Sequence, residues 1–175
     1  DRIYDVTTLR AKFGAALDAE LSADPEALAA IIAFFSSDTG QRVVTLEIDA
    51  RRAFLDTATE EAARVAADKL ASGRDPRHRL IQRMIEAGDL LEMNVAAAMS
   101  GNFAFISGMS GTGAYGNAMP EDQILSDVWA QEDQIRADTS SWLFAYLGLA
   151  YAPLSEAELQ AYVDFAESPA GQRLN

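Results

Sequence analysis

The chain has 175 residues, 49% of them apolar, which is enough to bury one core in a single domain. Acidic residues number 27 against 14 basic ones, a formal net charge of −13, so the surrounding field repels phosphate backbones and excludes nucleic acid as a natural partner. There is no cysteine, which removes disulfide frameworks and thiolate chemistry, and no apolar run of about 18 residues, which removes a helical membrane span.

The chain opens on Asp1-Arg2 instead of a basic and apolar leader, so no export signal is expected within it. From there the apolar spacing predicts helices over residues 7–21, 25–37, 39–55, 57–71, 75–87, 89–107, 120–151 and 155–167. Asp24-Pro25-Glu26 and Asp75-Pro76 supply a cap and a first-turn proline, and Pro120-Glu121-Asp122 adds acids suited to the positive end of a helix dipole. Thr57-x-x-Glu60 and Ser155-x-x-Glu158 both fit the capping box. No stretch alternates β-branched residues, and only residues 108–118 read as a loop. The expected fold is therefore all-α, a single-domain bundle of about eight helices. The last helical pattern stops close to Asn175, and the natural chain is expected to continue.

Residues 27–43 align without gaps to residues 158–174 at an offset of 131, with identities at Leu28/Leu159, Ala30/Ala161, Phe34/Phe165, Ser37/Ser168, Gly40/Gly171, Gln41/Gln172 and Arg42/Arg173. The pattern describes a helix corner. Ser37 or Ser168 ends one helix and caps the next, Pro169 suits the first position of that next helix, and Gly40 or Gly171 lets the two helices approach closely. Phe34 and Phe165 are the expected core anchors, and the two corners are expected to pack near one another.

The run Leu154-Ser155-Glu156-Ala157-Glu158-Leu159, followed by Phe165-x-x-Ser168-Pro169-x-Gly171-Gln172-Arg173, resembles the signature of the bacterial family known as domain of unknown function 2059. A weaker echo lies at residues 27–43, where Asp38 replaces the proline. The resemblance implies an exported, usually periplasmic, all-α protein without an established activity, and it carries over no catalytic residue.

Other constellations are weaker. Gly111-x-Gly113-x-x-Gly116 spells a dinucleotide motif but lacks the strand that must precede it. Ser110 misses the nucleophile-elbow pattern, and His78 sits among Arg74, Arg77 and Arg79, which disfavour the imidazolium of a general base. Met84, Met93, Met99, Met109 and Met119 never fall three or four apart, so they read as pliable packing and not as a copper site. Asn94 and Asn102 share a side of one helix, within reach of amide partners such as Asp127, Asp133 or Asp138.

Two functions follow as expectations. The first is a non-enzymatic module that binds another protein or a small apolar ligand, without a cofactor, through a groove of Met93, Met99, Trp129 and their neighbours, with Asn94, Asn102 and Asp127 nearby. The alternative is a carboxylate- or metal-dependent hydrolase using the acidic segment 121–138, which holds Glu121, Asp122, Asp127, Glu132, Asp133 and Asp138 against Arg136 alone.

Overall fold

The computed structural model describes residues 5–111 and 119–174, and among them it contains ten helices and no strand. They are α1 (Val6–Leu21), α2 (Pro25–Ser36), α3 (Asp38–Ala53), α4 (Thr57–Ser72), α5 (Pro76–Ala87), α6 (Leu90–Gly111), α7 (Glu121–Trp129), α8 (Glu132–Tyr151), α9 (Glu156–Glu167) and α10 (Pro169–Leu174). The all-α bundle expected from the sequence is the fold observed.

Side-chain caps start seven of these helices, α3 through Ser37 and α10 through Ser168 among them. Asp5, Asp24, Asp56, Asp75 and Ser155 each accept a hydrogen bond from a backbone amide of the first turn, satisfying donors that the helix itself leaves open. The capping box at Ser155 and Glu158 is complete. The one read at Thr57 is not formed: the chain enters α4 one residue earlier, where the Asp56 carboxylate takes the Thr59 amide.

Two boundaries differ from the sequence reading. The long helix expected over 120–151 is two helices, because the chain turns at Ala130–Gln131 so that α7 packs on α6 while α8 packs on α3, α4, α5 and α6. Residues 108–111 of the expected loop are the last turn of α6, and 112–118 lie outside the described residues, together with most of the dinucleotide-like motif.

The main core joins α3, α5, α8 and α9 through Val43, Ile81, Leu143, Leu147, Leu159 and Val163, each at most 4% exposed. Each such aliphatic side chain contributes about 1.5–3 kcal/mol by leaving water. Arg77 joins α5 to the end of α8 by donating to the carbonyls of Tyr151 and Leu154, both at 3.0 Å. A smaller cluster of Leu21, Ala27, Ile31 and Ala170 ties α1, α2 and α10 together.

The corners α2–α3 and α9–α10 make the same bonds at corresponding positions. Ser37 Oγ donates to Phe34 O at 2.6 Å and accepts from Gly40 N at 3.1 Å, and Ser168 Oγ repeats both distances with Phe165 O and Gly171 N. Gln41 donates to Phe35 O and Gln172 to Ala166 O. The corners also pack reciprocally: α2 lies on α10, α3 touches α9, and Phe34 stacks on Phe165 with ring centroids 4.1 Å apart.

Candidate functional site

On α3 and at its C-cap, Val43, Glu47, Ala50 and Phe54 recur at helical spacing and face the core, so Glu47 is a carboxylate placed on an apolar stripe. Burial requires partners for it, and α8 and α9 provide them. Tyr151 donates its phenol to Glu47 Oε1 at 2.7 Å, Tyr162 donates to the same oxygen at 3.1 Å, and Tyr146 donates to the Glu47 carbonyl at 2.9 Å. Burial is the first cause that pushes all three phenols above the ordinary tyrosine range, and the nearby Glu47 charge adds to it. The hydroxyls therefore stay protonated and remain donors throughout the physiological range.

One turn beyond Glu47, the Arg51 guanidinium lies over the rings of Trp142 and Tyr146, 5.2 and 4.7 Å from their centroids. Trp142 stacks on Tyr146, and Phe54 meets both rings edge-on. Glu47, Arg51, Trp142 and the three tyrosines border a cleft of about 250 Å³ whose remaining wall includes Phe35, Met84, Leu90, Asn94, Leu147, Phe165 and Leu174. Both corners reach it, one through Phe35 and the other through Phe165 and Gly171.

The residues singled out from the sequence are divided among other surfaces. Met99 and Trp129 come together with Phe103, Leu125 and Val128 in a groove of about 300 Å³ between α6 and α7. Met93 is 55% exposed and does not line that groove. Asn94 stands at the mouth of the aromatic cleft, where its amide donates to Leu90 O of its own helix at 2.7 Å. Asn102 is half-buried on α6, and Asp127 is exposed on α7. Among the described residues neither asparagine bonds to Asp127, Asp133 or Asp138: Asn94 has turned back on its own backbone, Asp138 accepts from Gln134, and Asp127 and Asp133 are exposed.

The acidic segment spans two helices and does not converge. Glu132 is held by Arg136, which also holds Glu92 of α6 and depresses the Glu92 carboxyl below its ordinary range through the hydrogen bond. Among the described residues no group of three His, Asp or Glu side chains is arranged to hold a metal ion. Ser110 is buried and accepts the Met119 amide at 2.6 Å, while His78 stacks on Phe144, so each is engaged elsewhere.

Sequence reasoning places none of Glu47, Arg51, Tyr146, Tyr151 and Tyr162 in a candidate site. The available signal was a charged residue inside the 43–47–50–54 stripe.

Compared with known families, residues 8–69 match the one described as an uncharacterized protein conserved in bacteria, domain of unknown function 2059. That span contains the first corner, whereas the resemblance noted from the residues is strongest at the second. Comparison with curated proteins and with solved structures returns no match.

Proposed function

From the premise that residues 8–69 belong to the bacterial family of domain of unknown function 2059, we propose that the chain is a non-enzymatic binding module that takes a small apolar ligand into the aromatic cleft between α3, α8 and α9. The observation that carries this reading is that all three tyrosine hydroxyls of the cleft are spent on Glu47. Acid–base chemistry needs a side chain free to exchange a proton with a reacting atom. Here Glu47 Oε1 already accepts two phenols, and those phenols are held in their neutral form. What remains for a ligand is aromatic and aliphatic surface with a few fixed donors at its edge, the composition of a binding pocket. An exported, periplasmic location, implied by the resemblance, forms part of the proposal, and subcellular fractionation of the native protein tests it.

The binding test uses N-phenyl-1-naphthylamine, a neutral apolar dye whose emission rises on leaving water. We expect saturable enhancement with the wild type. Leu90→Trp and Asn94→Trp place bulk in the mouth of the cleft and weaken the dye by at least about tenfold. Wild-type dye affinity in both variants, with helical content retained, would sink the reading.

A further inference from the structure

The groove between α6 and α7 is a second surface, independent of the aromatic cleft. Its walls are Met99 and Phe103 on one side and Leu125, Val128 and Trp129 on the other. Val128 is buried against α6, whereas Leu125 is 48% exposed and Trp129 is 57% exposed. An apolar channel left open in this way, bordered by polar residues, marks a surface that another molecule covers.

Its charge selects the occupant. Residues 90–135 contain Glu92, Glu121, Asp122, Asp127, Glu132 and Asp133 and not one Lys, Arg or His. Arg136 neutralises Glu92 and Glu132, but among the described residues Glu121, Asp122 and Asp133 make no ion pair. Glu121 and Asp122 stand one turn before Leu125, and Asp133 follows four residues after Trp129, so uncompensated negative charge brackets both ends of the exposed α7 face. We infer that this groove docks an amphipathic helix from a partner protein, with apolar side chains entering between Phe103 and Trp129 and Lys or Arg side chains meeting Glu121, Asp122 and Asp133. Helix-in-groove recognition needs an apolar stripe at i, i+3, i+4 and i+7, and complementary charge at its rim fixes register and speeds encounter. A second copy of this chain would bring the same acids against themselves, and an anionic membrane surface would be repelled for the same reason.

The test titrates the whole protein into a fluorescent Leu/Lys amphipathic peptide of about four helical turns and reads polarisation, beside a Leu/Glu peptide with the same apolar register. The Leu/Lys peptide is expected to bind and the Leu/Glu peptide to show no saturation. Trp129→Ala, and separately the triple change Glu121→Gln, Asp122→Asn and Asp133→Asn, are each expected to weaken binding by about tenfold. Removing three exposed acids elsewhere, Asp18→Asn, Glu61→Gln and Asp68→Asn, is expected to change it by less than about twofold. All of these positions are exposed, so the variants should keep the fold. Equal binding of both peptides, equal weakening by the distant triple change, or indifference to Trp129→Ala would each overturn the inference. So would sedimentation showing a dimer that Trp129→Ala dissolves, since the occupant would then be a second copy.

Discussion

The first corner, α2 into α3, and the second, α9 into α10, bend the chain with matching backbone geometry. Ser37 sits at φ −73° and ψ 160°, and Ser168 at φ −70° and ψ 159°. Yet the residue that follows is Asp38 in one and Pro169 in the other. Proline is therefore not what makes the turn. The serine hydroxyl, which holds the preceding carbonyl and the following amide together, and the glycine three residues later are common to both. What differs is the continuation: α3 runs for 16 residues and carries Glu47 and Arg51 to the cleft, whereas α10 spans six and contributes Gly171 and Leu174 to its lining. One bend thus serves a helix that presents polar groups and another that adds apolar lining.

The glycines are where this equivalence is most easily broken. A Cβ on Gly40 would lie 2.2 Å from Phe34 O and 2.7 Å from Phe35 Cα, and one on Gly171 would lie 2.1 Å from Phe165 O. The obstructing atoms are backbone, so no rotamer change relieves the contact. Gly40→Ala is expected to destabilise the protein by about 3 kcal/mol, because α3 is anchored along its length by α8 and cannot shift. Gly171→Ala should have the smaller effect, since the short α10 can move away from α9. Urea unfolding compares the two, and equal midpoint losses would show that the anchoring argument is wrong.

A smaller effect tests whether the corners act as one unit. Phe34→Ala and Phe165→Ala each remove a half-buried ring, at about 2–3 kcal/mol apiece, below the range for full burial. The double variant should lose about 1 kcal/mol less than the sum, because the stacked pair disappears with the first truncation. Strict additivity would mean that the corners are only neighbours.

The corners were legible in the sequence because everything that bends them is local: Ser, Gly and Phe within seven residues. The break between α7 and α8 was not. Ala130 and Gln131 carry no helix-breaking chemistry, and the apolar spacing of Ile124, Val128 and Ile135 continues across them. The break exists because the two halves pack against different helices, which is tertiary information. The cleft divides in the same way. Glu47 announces itself as a charge on a buried stripe, but its tyrosine partners lie 99 to 115 residues further along, and no spacing rule joins them. The sequence expectation put Met93, Met99 and Trp129 in one groove, whereas Met93 stands outside it, because which side of α6 faces α7 depends on a rotation that this weakly amphipathic helix does not define.

The smallest expected effect concerns the arginine that follows each glycine. Arg42 reaches across to the second corner, donating to Glu158 Oε1 and to Pro153 O, both at 2.6 Å, while Arg173 reaches back to Glu20 O at 3.0 Å and its carboxylate at 3.3 Å. The Glu158 carboxyl lies below its ordinary value of 4.5, held there first by the Ser155 hydroxyl, then by the Ser155 amide, and only afterwards by Arg42. A carboxyl depressed in the folded state stabilises the protein above its unfolded pKa, and that contribution fades as pH falls through the folded value. Glu158→Gln should therefore lower stability at neutral pH and flatten its decline below about pH 4.5, where the wild type is losing the same contribution. Ser155→Ala should raise the Glu158 pKa, followed by carboxyl NMR, more than Arg42→Ala does, because the cap lies within its own helix while the arginine is half exposed and screened by salt. If Arg42→Ala moved it further, the contact between corners, and not the cap, would be what keeps this carboxylate ionised.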